Sequence, residues 1–135
     1  MGITLQDIHD LRSGWRDPIN VGELSDAIRV LLALRVPQVH LSRASLEHIR
    51  VKHPDVTDFD LLLLTMAMER EMIMRERRKP NVLLGVYQEP ASHPRFVAVM
   101  KIAAAYEVRV TSFHRAHRRQ TMQWPERCDL LRRHP

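Results

Sequence analysis

Arg95-Phe-Val-Ala-Val-Met-Lys-Ile-Ala103 and, after a short break, Glu107-Val-Arg-Val-Thr-Ser-Phe-His114 are two apolar runs that read as neighbouring β-strands. Each carries polar groups that a plain core strand does not need: Lys101 in the first, and Arg109, Thr111 and His114 in the second. Side chains alternate between the two faces of a strand. In the first run this puts Phe96, Ala98, Met100 and Ile102 in one apolar row and Lys101 on the other with Val97 and Val99. In the second, Val108 and Val110 take the core side, and Arg109, Thr111 and Phe113 the opposite side. Upstream, Val82, Leu84 and Val86 look like core, leaving Tyr87 on the other face with Leu83 and Gly85. The predicted outer face therefore shows Tyr87, Lys101, Arg109, Thr111 and Phe113. Cations interleaved with rings suit single-stranded RNA, charge for phosphates and rings for bases. Taken singly, Lys101, Arg109 and Thr111 also fit an ordinary solvated face.

Working outward, Met72-Ile-Met-Arg75 and Val82-Leu-Leu-Gly-Val-Tyr87 are further β-like runs. The connections 77–81, 88–94 and 104–107 are short, which favours an antiparallel meander. The first half of the chain reads as helical. Residues 3–13 are amphipathic and stop at Ser13-Gly14, and residues 21–35 repeat apolar positions at helical spacing up to Pro37. Val39-His-Leu41 is a short strand. Ser42 is a good N-cap for a helix over 43–53, closed by Pro54. Thr57-Asp-Phe-Asp60 opens another helix reaching Glu69. The predicted class is α+β, with N-terminal helices packed on one face of a four-stranded antiparallel sheet and the opposite face open. Three parts are expected: a helical extension at 1–36, the α+β domain at 37–120, and a basic tail at 121–135 that forms a short helix or is poorly ordered.

The 135 residues carry 21 Lys+Arg against 16 Asp+Glu and eight histidines, and the pI is about 10.1. That balance points to an anionic partner, nucleic acid first, and says nothing about chemistry. The single cysteine, Cys128, excludes an intramolecular disulfide. Neither a secretory leader nor an apolar run near the roughly 20 residues of a membrane span is visible. A cytoplasmic protein without a membrane partner is expected.

In the helix over 43–53, His48 and Lys52 are four apart and share a face. His53 lies with Leu46 and Ile49 and fits a core-edge histidine at the helix end. His48 is the more exposed candidate for acid or base work, which imidazole suits because it titrates near neutrality. Metal binding is poorly supported: no CxxC pair occurs, and His114-Arg-Ala-His117 lacks an evident acidic third ligand. The four glycines are scattered and build no phosphate loop.

His48-Ile-Arg-Val-Lys-His53-Pro on a helix, followed by a strand run with Lys101 and a Thr111-x-Phe-His114 ending, resembles the phage-associated branch of the barnase–EndoU–colicin E5/D–RelE-like nucleases. The resemblance covers residues 39–115. It implies a barnase/RelE-like sheet and metal-independent cleavage of RNA by 2′-OH attack, with no cofactor. By the resemblance, His48 and His53 match the helix histidine motif, Lys101 the basic strand residue and Thr111 the last-strand polar residue, as catalytic candidates. Arg109, Tyr87, Phe113, His114 and Arg115 are the substrate-binding candidates. No acidic base matches the barnase-type glutamate; by the resemblance His48 is the candidate base and His53 or His114 the candidate acid, with Lys101 and Arg109 stabilising charge on the phosphate oxygens and Thr111 holding one of them. The resemblance also implies a toxin of a phage or mobile element, with a cognate immunity or antitoxin protein as partner. The alternatives are a non-catalytic nucleic-acid-binding module and a mobile-element interaction protein.

Overall fold

The computed structural model describes residues 2–69, 72–88 and 95–132. Helix α1, Leu5–Ser13, starts at a capping box: the Thr4 hydroxyl accepts from the Asp7 N–H while the Asp7 carboxylate accepts from the Thr4 N–H. Gly14 ends it in the left-handed region at φ 82°, which glycine adopts without a Cβ clash. Strand β1, Ile19–Glu23, is followed by α2, Asp26–Leu31, and by β2, Gln38–Leu41. Ser25 and Ser42 cap α2 and α3 (Arg43–Lys52), and Thr57 caps the short α4, Asp58–Leu61. Helix α5, Leu64–Glu69, leads into β3 (Met72–Glu76), β4 (Val82–Gln88), β5 (Arg95–Ala104) and β6 (Glu107–Arg115). Helix α6, Arg118–Arg127, and strand β7, Cys128–Arg132, complete the described chain.

These strands form one seven-stranded sheet in the order β1-β2-β6-β5-β4-β3-β7. The pairing of β2 with β6 is parallel and every other pairing is antiparallel. The general α+β class fits. The four-stranded antiparallel sheet does not: β3 to β6 form the meander, but β1 and β2 extend it on one side and β7 on the other. The helix expected over 21–35 is shortened because Ile19–Glu23 pairs with β2, with Ile19, Val21 and Gly22 buried and Asn20 and Glu23 exposed. The residues assigned to an extension, Ile8, Leu11, Val21 and Ile28 among them, lie in the same core as Phe96 and Val110. The residues assigned to a tail supply most of α6 and all of β7. Most of the 88–94 connection and the last three residues fall outside the described residues.

Both faces of the sheet are covered. The larger core lies under α1 to α5 and contains Phe96, Ala98, Met100, Val108, Val110 and Phe113. Helix α5 sits so close to β4 that a Cβ on Gly85 would fall 2.7 Å from the Ala67 carbonyl oxygen, so the small residue is a packing requirement there. On the opposite face, Trp124 of α6 closes a second cluster of Met74, Leu84, Val86, Val97 and Cys128. The expected open face is absent over these strands.

That arrangement corrects two outer-face placements. Tyr87 pairs with Phe96 and is buried in the larger core, so the inner row of β4 is Leu83 and Tyr87 rather than Val82, Leu84 and Val86. With apolar layers on both sides, both rows of β4 are apolar, and alternation cannot orient the strand. Phe113 is also fully buried, stacked on Phe96 at 5.2 Å. Its cause is a β-bulge: Met100 pairs with Val110 but Val99 pairs with Ser112, so Thr111 is the extra residue. Beyond it the alternation is inverted. Phe113 returns to the core opposite Ala98, and His114 joins the Val97 row.

Candidate active site

Strand β2 pairs with β6 only at Val108 and Arg109, and α3 packs beside β6 instead. The far end of β6 therefore meets a helix rather than another strand. Helix α3 ends at His53, whose backbone N–H still donates to the Ile49 carbonyl at 2.8 Å. The His53 ring stacks on the His114 ring, centroids 4.7 Å apart and planes 24° apart. Three residues beyond His114 the chain turns into α6, with His117 as its N-cap.

Several groups surround the stacked pair. The Ser112 hydroxyl, on the same row of β6, is 3.4 Å from His114 Nδ1. The Gln120 carboxamide, from the start of α6, interacts with the His114 ring, and its Oε1 is buried without a hydrogen-bond partner among the described residues. Arg115 spreads its guanidinium over the Phe96 ring at 4.7 Å and stands 3.6 Å from Asp55 and 3.7 Å from Asp60. These distances are longer than hydrogen bonds, so the Arg115 charge is steered by the two carboxylates without being locked to either.

The electrostatics follow from burial. The His53 imidazole is held below its ordinary value by desolvation first. Asp55 opposes that shift, and the charges of His48, His117 and Lys52 add to it. His114 is lowered in the same direction, again by burial first and then by the charge on His53, with Gln120 and Asp55 opposing. Both rings are therefore predominantly neutral at neutral pH and can accept protons. Protonating His53 further disfavours protonating His114, which makes the pair one coupled unit. Among the described residues, no group of three histidines, cysteines, aspartates or glutamates could hold a metal ion.

The candidates named from the sequence are distributed unevenly around this point. His53 and His114 are in contact, Arg115 is beside them, and His48, exposed on α3, acts on His53 electrostatically. Lys101 and Arg109 are exposed partners on one rung of the β5–β6 ladder. That rung lies four residues of β5 from the Val97–His114 rung, about 13 Å along the strand. Arg109 is also 3.8 Å from Glu107. Thr111 donates its hydroxyl to the Val99 carbonyl at 3.3 Å and so secures the bulge. Tyr87 and Phe113 are core residues, without access to a base. Asp55, Asp60, Ser112 and Gln120 are the residues that sequence reasoning misses, and His117 enters it only through a weak metal spacing. The signal for Asp55 and His117 is the pair of short motifs His53-Pro-Asp55 and His114-Arg-Ala-His117, whose meeting depends on the bulge and on the turn into α6.

The chain matches no family model, no curated protein and no solved structure. The stacked histidines and their neighbours thus carry the functional argument alone. No helix among the described residues is long and apolar enough to cross a membrane.

Proposed function

We propose that this protein is a metal-independent endoribonuclease that cleaves RNA by attack of the ribose 2′-OH on the adjacent phosphorus. The observation that carries the proposal is the His53–His114 stack, with the loosely held Arg115 cation next to it. In-line transfer at phosphorus needs a proton removed on one side and a proton supplied on the other. Two imidazoles one stacking distance apart present ring edges on the scale of the two apical oxygens.

His114, the more enclosed ring, is the proposed base: it takes the 2′-OH proton as the 2′ oxygen bonds to phosphorus. His53 is the proposed acid: burial disfavours its protonated form and Asp55 partly restores it, and in that form it gives a proton to the 5′ oxygen as the P–O5′ bond breaks. Arg115 faces the charge that grows on the non-bridging oxygens. The products are a 2′,3′-cyclic phosphate and a free 5′-OH. Lys101 and Arg109 are left out of this step by their distance along the sheet, and Thr111 by its role in the bulge. The same chemistry underlies the proposed toxin role. Expression in a host cell should slow growth, and His114→Gln should relieve it.

The test is to incubate the protein with labelled RNA in excess EDTA and analyse the ends. The proposal expects 2′,3′-cyclic phosphate ends, and resistance when the 2′-OH at the cleaved position is replaced by hydrogen. Intact RNA, or cleavage of the 2′-deoxy substrate, contradicts it. The second reading, a binding module without catalysis, is supported by Arg118 and Arg119 of α6, which are exposed and make no ion pair among the described residues. It requires salt-dependent RNA binding with no product.

A further inference from the structure

Away from the histidines, the turn joining β3 to β4 carries Arg77-Arg78-Lys79. Arg77 is fixed: its backbone N–H donates to the Arg127 carbonyl at 2.9 Å, its Nε to Asp129 at 2.8 Å, and its guanidinium also to the Glu126 carbonyl at 2.8 Å. These bonds tie the turn to the C-terminal end of α6 and leave a cleft of about 540 Å³ lined by Glu76, Arg77, Arg78, Lys79, Glu126 and Arg127. Arg78, Lys79 and Arg127 are exposed, and none of them makes an ion pair among the described residues.

Helix α6 connects this cleft to the histidine site. Gln120 near its start touches His114, Trp124 at its middle holds it on the sheet, and Arg127 at its end bonds the basic turn. Ten residues of helix span about 15 Å. Arg118 and Arg119 are exposed in the first turn, where no acidic residue accompanies them. Cations at that end of a helix oppose its dipole and gain nothing from it. Two basic segments some forty residues apart in sequence, 75–79 and 114–119, thus lie at the two ends of one helix.

We infer that α6 and the β3–β4 turn form a track for the sugar-phosphate backbone of single-stranded RNA, leading from the histidine site to the cleft at Arg78, Lys79 and Arg127. The inference rests on the proposed RNA substrate and adds its minimum length. Glu76 and Glu126 in the cleft offset part of the positive charge, so it is poorly suited to a free phosphate dianion. Exposed cations there suit a singly charged phosphodiester held as one of several weak contacts. A trinucleotide with one phosphate at the histidines has only one further phosphate and is too short to reach the far end of α6; a strand of about 12 nucleotides is not.

The test is fluorescence anisotropy with 2′-O-methyl RNA, which cannot undergo 2′-OH attack, as a trinucleotide and as a strand of about 12 nucleotides, within the site sizes common for single strands. Arg78→Ser with Lys79→Ser should lower the salt slope for the longer strand by about 1.4, two phosphate contacts at about 0.7 each, and leave the trinucleotide unchanged. Thermal melting of both proteins checks that the exposed substitutions leave the fold intact. An unchanged slope for the longer strand, or equal losses at both lengths, overturns the track. A wild type that cuts no RNA but shows the length-dependent loss upholds the track and refutes the enzyme. One that cuts RNA while the longer strand binds both proteins alike refutes the track alone.

Discussion

The two ends of the β5–β6 pair carry similar residue types and have opposite characters. At one end, Lys101 and Arg109 face each other across a rung, exposed to solvent. At the other, His114 is packed against His53, with Arg115, Asp55 and Gln120 around it. The exposed cations add charge to a surface and little else, because water screens them. The enclosed histidines have lost part of their solvation, which moves their titration and fixes their geometry. Convergence of partially buried titratable groups, rather than local charge density, is therefore what singles out the candidate site.

The two ends should differ most in their effect on cleavage rate. His114→Gln should reduce RNA cleavage by about 10²–10⁴-fold, the usual worth of a positioned acid or base, whereas Lys101→Ala should leave it within roughly twofold. The reverse pattern in initial rates would move the site to the exposed rung.

Next in size is stability. Phe113→Ala should cost about 3–5 kcal/mol in denaturant unfolding, because the bulge at Thr111 turns Phe113 into the core. An outer-face Phe113 would cost within about 0.5 kcal/mol, so the measurement also tests the bulge.

A smaller effect concerns pH. His53 and His114 titrate below the ordinary imidazole value of 6.5 in the folded protein, burial being the main cause. The unfolded chain therefore binds more protons than the folded one as pH falls from that value. Stability from these groups is full above pH 6.5 and is lost as pH falls through the lowered folded values. Urea midpoints measured across that window should fall less steeply for His114→Gln than for wild type. Equal slopes would mean that burial does not perturb the ring. The smallest effect is at the other end: Lys101→Ala should change stability by no more than about 0.5 kcal/mol by the same unfolding assay.

Much of the local structure is legible in the sequence because it depends on near neighbours. Ser42 and Thr57 start helices where capping chemistry places them, and Ser13-Gly14 stops one. The β3–β6 meander follows from apolar runs and short connections. What is not legible depends on distant contacts. Ile19–Glu23 becomes a strand because β2 offers a pairing edge, and its five residues carry too little pattern to announce it. The extra residue at Thr111 leaves no mark in the alternation before it, yet it decides where Phe113 and His114 point. The histidines are visible as residue types, but their partnership with Asp55, His117 and Gln120 is not. It requires α3 to flank β6 beyond the end of β2, and α6 to fold back across the sheet.

The central claim is that His53 and His114 act as one unit on RNA. Its most direct test is a double-substitution cycle on the initial rate of 2′,3′-cyclic phosphate formation, using His53→Ala, His114→Gln and the pair. Residues of a single catalytic unit lose nearly the whole effect at the first substitution, so the pair should be about as slow as the worse single variant. Losses that multiply, or a wild type that forms no cyclic phosphate, would contradict the claim.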